Sequence, residues 1–226
     1  MPTSPGPTNP SGESPDPHPD SSVIPRPILF APFAKYRTRA NHLFGVILIV
    51  VALATKGPDW AHLLWGAPLI LAGVALRLWA AGTIKKQETL AQVGPYAFTR
   101  HPLYLGTFLG GLGLFTAAGG PLLLPMYALF LLSFGLFYVP AMRIEEAGLR
   151  AAFGAQADAY FRDVPFFFPL KAPVAGRPPR APAIEARAAG FSWAQVVRNR
   201  EHEGLISVAL ILAVFIAGIL LRHPSS

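Results

Sequence analysis

The stretch Pro102–Met142, PLYLGTFLGGLGLFTAAGGPLLLPMYALFLLSFGLFYVPAM, decides the fold of this chain, because it contains no charged residue and no histidine. A straight helix of this length would measure about 60 Å, roughly twice the hydrocarbon thickness of a bilayer. Gly119-Gly120-Pro121 lies in the middle of the stretch and is typical of a tight turn. The stretch therefore predicts two membrane-spanning helices joined at these glycines.

Further apolar runs lie on both sides of this pair. They extend over Leu43–Thr55 (with a start near Ala40), over Trp60–Ile84 and over Gly204–Leu221. The chain of 226 residues is 52% hydrophobic and 14% charged, with a mean hydropathy of +0.41, whereas soluble domains average about 25% charged residues. We expect an all-α integral membrane bundle of about five transmembrane helices, with cytoplasmic loops and a short cytoplasmic helix.

Composition divides the chain into four segments. Residues 1–27 are rich in proline and serine and poor in large apolar residues, so this tail is expected to be disordered. Residues 28–170 contain four spans and the short cytoplasmic helix. Residues 171–202 are expected to form a basic cytoplasmic linker, and residues 203–226 the C-terminal transmembrane helix.

The distribution of basic residues predicts the orientation of the bundle. Lys85, Lys86 and Arg100 lie between the second and third spans, and nine more basic residues lie between the fourth and fifth. The opposite side carries only Lys56 and Arg222. Because basic loops favour the cytoplasmic side, we expect a bacterial inner-membrane protein with its N-terminus and its candidate site in the cytoplasm. This orientation explains the net charge of +7, so no nucleic-acid partner is expected.

The sequence excludes several kinds of site. It contains no cysteine, which rules out disulfides, thiolate nucleophiles and cysteine-ligated metals. Its six histidines lack the spacing of metal ligands, so no metal site is expected, and no phosphate-binding glycine loop is present. The candidates for function are polar residues at the ends of the apolar runs, because charges are costly to keep near lipid.

The first polar cluster precedes the third span. Pro102 suits the first turn of a helix, which places His101 at a helix N-terminus, where exposed N–H groups favour an anion. Arg100 adds a fork of donors for a carboxylate or phosphate, and Tyr104 lies on the same helix face as His101. The alternative interpretation is a helix start that Arg and Tyr anchor at the lipid interface.

The second cluster follows the fourth span. Glu146 and Arg150 are four residues apart in the order that favours a surface ion pair. Glu145 points about 100° away and is the better candidate for a ligand. Arg77, inside the second span, either extends to the interface or faces the bundle interior and holds an anionic group.

These polar clusters form a pattern that resembles a known family. Gly94-Pro95-Tyr96, Arg100-His101-Pro102-x-Tyr104-x-Gly106 and Glu145-Glu146-x-x-Leu149-x-x-x-Phe153-Gly154 are similar to the isoprenylcysteine carboxyl methyltransferases and the related phospholipid N-methyltransferases. The resemblance implies a membrane enzyme that uses S-adenosyl-L-methionine and takes a lipophilic or prenylated substrate, or a membrane lipid, from the bilayer. Carboxyl O-methylation of an isoprenylcysteine-like substrate is favoured, because an ionised carboxylate needs no general base.

The resemblance also implies the roles of individual residues. The aromatic faces of Tyr96 and Tyr104 suit the positively charged sulfonium of the cofactor. Three arginines, Arg143, Arg77 and Arg100, are the candidates for a catalytic role, as anchors of the substrate carboxylate. The implied cofactor contacts are Glu88, Thr89, Leu90, Ala91, Tyr96, His101, Pro102, Leu103, Tyr104 and Glu145.

The chain departs from the family pattern at four positions. Glu88 stands where the carboxyl methyltransferases usually have a histidine, Ala157 where a tyrosine is expected, Phe166 where an arginine is common, and Ala141 where the family has a substrate-holding arginine. The alternatives are therefore phospholipid N-methylation or a non-catalytic scaffold or transport component that keeps the bundle. A nicotinamide-dependent reductase is a weaker third hypothesis. The pattern sets no oligomeric state.

Overall fold

The computed structural model describes residues 37–55, 57–84, 90–170 and 190–222, with side chains from Leu43 onward. Secondary structure within these ranges is helical and includes no strand, which confirms the predicted all-α class. The helices are α1 (Arg37–Ala54), α2 (Trp60–Thr83), a 3₁₀ turn (Gly94–Ala97), α3 (Pro102–Ala118), α4 (Leu123–Phe153), α5 (Ala155–Asp163), α6 (Trp193–Arg198) and α7 (Glu201–Arg222). The predicted disordered tail, most of the basic linker and the pair Glu88-Thr89 lie outside the described residues.

The apolar runs predicted as spans are helices in the structure. By length and composition, α2, α4 and α7 can cross a membrane, while α3 and the Leu43–Ala54 part of α1 are shorter apolar helices. Large apolar side chains point outward, such as those of Trp65 (75% exposed) and Leu132 (73% exposed). Such an apolar exterior is expected of a bundle that lipid surrounds.

Helices α2 and α3 make backbone contact through glycines. A Cβ at Gly73 would lie 2.5 Å from the backbone nitrogen of Gly110, and one at Gly113 would lie 2.6 Å from that of Ile70. No side chain fits at these separations, so the glycines allow the two helices to approach as small residues do in membrane bundles. Gly110 itself has no atom within 4 Å of a Cβ position, so its outer side is open.

The connection between α3 and α4 lies at the predicted glycines. Gly119 and Gly120 have φ angles of 57° and 83°, in the left-handed region that glycine adopts without steric cost. Helix α4 then runs for 31 residues, or about 46 Å, which exceeds the hydrocarbon thickness. Its last turns therefore project beyond the apolar layer and carry the Glu145 region.

The corner between α6 and α7 docks on the C-terminal end of α2. The side-chain amide of Asn199 donates to the carbonyls of Ala81 (2.8 Å) and Ile84 (3.3 Å), and the Ser192 N–H donates to Gly82. These bonds satisfy carbonyls that a helix end leaves without partners. As a result, the first residue of α7, Glu201, is placed beside α2.

Candidate functional site

A buried ion pair between Arg100 and Glu146 connects three segments at the polar end of the bundle. An Nη1 of Arg100 lies 2.7 Å from the Glu146 carboxylate, which is only 1% exposed. The remaining donors of Arg100 bind the carbonyls of Val164 and Phe161, and its backbone N–H donates to Pro165. The arginine therefore ties the start of α3 to the end of α4 and to the segment after α5.

The predicted surface pair between Glu146 and Arg150 is wrong. Glu146 is buried, and Arg150 binds Asp158 on α5 at 3.1 Å instead. The physical reason is that the Arg100 loop packs onto the Glu146 face of α4, and a buried carboxylate needs a charged partner. The adjacent Glu145 faces solvent, as expected for a residue about 100° further round the helix.

The 3₁₀ turn presents Tyr96 to the same region. The hydroxyl of Tyr160, on α5, donates to the Tyr96 carbonyl at 2.8 Å and so fixes the turn. Tyr96 is 6% exposed, and burial, reinforced by the negative charge of Glu145, raises the pKa of its hydroxyl well above the usual value. Tyr96 is therefore an uncharged hydrogen-bond donor at neutral pH.

Residues of α2, the 3₁₀ turn, α3, α4 and α7 line a cavity of about 580 Å³, which we call the polar cavity. Six of the predicted cofactor contacts line it, together with two of the predicted anchors, Arg77 and Arg100. Leu90 packs instead with Ala157, Tyr160 and Phe161 in a small apolar core. The six cofactor contacts are Tyr96, His101, Pro102, Leu103, Tyr104 and Glu145.

The remaining predicted residues lie elsewhere. Ala91 and Arg143 are not among the residues that line the polar cavity. Arg143 lies over the ring of Phe166, 4.4 Å from its centroid, and 3.6 Å from Glu146. Its guanidinium therefore supports the segment after α5 from outside the cavity.

Two buried polar atoms of the cavity-lining residues lack hydrogen-bond partners among the described residues. They are the Tyr96 hydroxyl and the Nε2 of His101. His101 is 3% exposed, and its Nε2 lies 3.7 Å from Glu146, beyond hydrogen-bond distance. Buried polar groups are normally satisfied, so these two side chains, both in the wall of the polar cavity, are candidates for a functional role.

Arg77 faces the bundle interior, where it binds a residue that the sequence did not single out. Its guanidinium makes a bidentate pair with Glu201 of α7, with contacts of 2.7 and 3.0 Å. It also donates to the Thr107 hydroxyl at 2.5 Å. An acidic residue that begins an apolar span is a signal that could have pointed to Glu201, since such charges need partners near lipid.

The aromatic segment Val164–Phe168 packs against residues of the cavity wall without lining the polar cavity itself. Thr99 donates to the carbonyl of Phe167 at 2.7 Å, and the ring of Phe166 stands edge-on to His101 with centroids 5.1 Å apart. Phe167 packs against Phe108 and Phe134. Phe166, one of the departures from the family pattern, therefore has a packing role here.

Metal ligation finds no support in the part of the chain that the structure describes. No three of its histidine, aspartate and glutamate side chains come close enough to hold an ion. The donors of the polar cavity suit an organic ligand better, because they combine aromatic rings, a carboxylate and neutral hydrogen-bonding groups.

Comparison with known proteins gives two curated relatives. The cobalt-zinc-cadmium resistance protein CzcN of Cupriavidus metallidurans is 35% identical over 166 residues, which cover 66% of this chain and 74% of the relative. The nickel-cobalt-cadmium resistance protein NccN of Alcaligenes xylosoxydans xylosoxydans is 32% identical over 160 residues, covering 64% of this chain and 72% of the relative. No family model matches the chain, and no solved structure matches it.

These relatives contradict the predicted methyltransferase. Both are named as metal resistance proteins, so the assignment to the isoprenylcysteine methyltransferases, the enzyme class and the carboxyl O-methylation reaction are corrected. The structure offers a physical reason, because part of the resembling pattern serves the fold: Arg100 binds Glu146, and Pro102 begins α3. The non-catalytic membrane component, predicted as an alternative, fits better.

Proposed function

Because this chain belongs to the family of the metal resistance proteins CzcN and NccN, we propose that it is a membrane component of bacterial resistance to divalent transition-metal cations. The observation that carries the proposal is the 35% identity over 74% of the length of CzcN. The apolar helical bundle supports a role within the membrane. The proposal assigns no cation site to the chain and places its contribution in the bundle and its polar cavity.

The proposed orientation has the N-terminus and the polar cavity in the cytoplasm, with the bundle in the inner membrane. Arg100, Arg143 and Arg150 all lie near the cavity, at the end of the bundle where α4 projects. Basic residues favour the cytoplasmic side. A cavity on that side would be open to small cytoplasmic ligands.

S-adenosyl-L-methionine is the proposed ligand of the polar cavity, and the proposal includes no chemical reaction of this ligand. The rings of Tyr96 and Tyr104 suit its sulfonium, and Glu145 can accept hydrogen bonds from its hydroxyl or amino groups. A volume of about 580 Å³ is within the range of small-molecule sites. Calorimetric titration of the purified chain with S-adenosylhomocysteine tests this, and absence of binding to the folded protein would remove the ligand but not the resistance function.

Growth in the presence of metals tests the proposed function. The gene is deleted, or expressed in a metal-sensitive bacterial host, and growth is measured over a series of Cd²⁺, Co²⁺ and Zn²⁺ concentrations. We expect the full chain to raise the tolerated concentration. The double variant Tyr96→Phe/His101→Ala is expected to lose the effect, because it removes both unpartnered polar groups of the cavity.

A matched control separates the cavity from general damage to the bundle. Leu132 is 73% exposed on α4, so Leu132→Ala leaves the cavity intact and should retain tolerance at equal membrane abundance. Unchanged tolerance with and without the wild-type chain would overturn the function. Full tolerance in the cavity variant would overturn the cavity's part in it.

A further inference from the structure

A second cavity, of about 450 Å³, lies within the bundle. Helices α4 and α7 form two of its walls, through residues such as Phe134 and Val208. Its glycine-rich lining includes Gly106 and Gly110 of α3. We call it the apolar cavity, because most of its lining side chains are aromatic or aliphatic.

The apolar cavity meets the polar cavity at one end. Four residues line both: Arg77, Thr107, Tyr138 and Glu201. The Arg77–Glu201 ion pair thus stands at the junction, with contacts as short as 2.7 Å. A molecule in the apolar cavity would have its apolar part among the spans and its polar end at this junction.

The volume of the apolar cavity suits a chain-like ligand better than a protein helix. A volume of about 450 Å³ falls in the range of small-molecule sites, roughly 300–1,000 Å³, which suits a small ligand or a single acyl chain. An extended acyl chain is much thinner than a helix with side chains, which is about 10–12 Å in diameter. The open outer side of Gly110, where a Cβ would meet no atom within 4 Å, provides a smooth surface for such a chain.

The polar side chains that line the apolar cavity suit a ligand whose head group is uncharged. The two positive charges of the lining are balanced: Arg77 binds Glu201, and Arg200 binds Glu203 at 2.5 Å. The hydroxyls of Ser133 and Ser207 donate to carbonyls of their own helices, which leaves their oxygens able to accept hydrogen bonds. The Thr107 hydroxyl also donates to its own helix, but its oxygen already accepts a hydrogen bond from Arg77. A head group that donates hydrogen bonds and carries no net charge fits this set.

We propose that the apolar cavity binds a single-chain amphiphile with a hydroxyl-bearing, uncharged head group, whose head lies at the Arg77–Glu201 junction. The proposal rests on the proposed function as a membrane component with a ligand-binding cavity, and it adds a lipophilic ligand to the polar one. Helix α7 is essential to the site, because Glu201, Gly204 and Val208 form one wall.

Photolabelling of the full chain in lipid nanodiscs tests the site. The probe is a monoacylglycerol with a diazirine in its acyl chain, and the free fatty acid of the same chain is the comparison. We expect the monoacylglycerol to label peptides of α3 and α7 in preference to the fatty acid. Gly110→Leu, which fills the cavity, should reduce this labelling by about tenfold, equivalent to about 1.4 kcal/mol.

Gly135→Leu is the matched control. Gly135 is an exposed α4 glycine whose Cβ would also meet no atom within 4 Å, so the same substitution fills no cavity there. Labelling should be unchanged in this variant. Gly110→Ala, which adds one methyl group in open space, keeps the test valid if the leucine variant unfolds, and should give a smaller reduction.

Two results would overturn the lipid site. One is equal labelling of the wild type and both Gly110 variants, which would indicate surrounding bilayer lipid. The other is labelling by the fatty acid that matches or exceeds that of the monoacylglycerol. Metal tolerance of the same wild-type chain, measured separately, shows whether the resistance function stands when the lipid site fails.

Discussion

At the scale of single residues, two adjacent carboxylates on α4 have opposite environments. Glu146 is 1% exposed and bound to Arg100, whereas Glu145 faces solvent at the rim of the polar cavity. Helical spacing alone predicted that they point in different directions. It could not tell which face the Arg100 loop covers, because that depends on how the loop before α3 packs against α4 and the end of α5.

We predict that Glu146→Ala destabilises the protein by about 3–5 kcal/mol, because it leaves the Arg100 guanidinium buried without its counter-ion. Thermal or denaturant unfolding in detergent measures the change. Glu145→Ala is the control, and it should shift the stability by no more than about 0.5 kcal/mol, as surface substitutions usually do. Equal effects of the two substitutions would contradict the assigned roles.

At the scale of helices, the sequence predicts where a helix begins and ends better than it predicts which other helices that helix contacts. Pro102 begins α3, Gly119 and Gly120 form the turn before α4, and Gly154 ends α4 with a φ of 48°. Each end depends on the local conformational preferences of proline or glycine, which the sequence displays directly. The α6–α7 corner depends instead on Asn199 reaching carbonyls of α2, which no local pattern reveals.

Arg200 follows Asn199 at this corner with a φ of 60°, in the left-handed region that is unfavourable for most side chains. We predict that Arg200→Gly raises the unfolding free energy by up to about 1 kcal/mol, because glycine adopts this conformation without strain. The lost contact with Glu203 is exposed and therefore contributes little.

The control for this substitution is Arg198→Gly, one helix position before the corner. Arg198 is the last residue of α6, so glycine there should be neutral or destabilising. Thermal unfolding of both variants in the same detergent separates the two effects. A lower unfolding temperature for Arg200→Gly than for the wild type would show that the corner depends on the arginine side chain.

At the scale of the whole molecule, the apolar runs were identified correctly, but the role of the last one was not. Residues 77 and 201, which are 124 positions apart in the chain, form the ion pair that joins α2 to α7. Hydropathy predicts that each run is a helix, yet it contains no information on which helices touch. The candidate site was predicted from the 3₁₀ turn, α3, α4 and Arg77 of α2, while the contribution of Glu201 on α7 required the three-dimensional structure.

The orientation of the whole bundle can be tested directly with thiol reagents. Because the chain contains no cysteine, a single introduced cysteine is its only thiol. Ala61, near the start of α2, and Ala151, near the end of α4, are both exposed, and they lie at opposite ends of the bundle. We predict that a membrane-impermeant maleimide added to spheroplasts labels Ala61→Cys and not Ala151→Cys, because the basic end of the bundle favours the cytoplasm. Both variants should react fully after detergent permeabilisation, which controls for accessibility. The reverse labelling would place the polar cavity outside the cytoplasm and its ligand among periplasmic molecules.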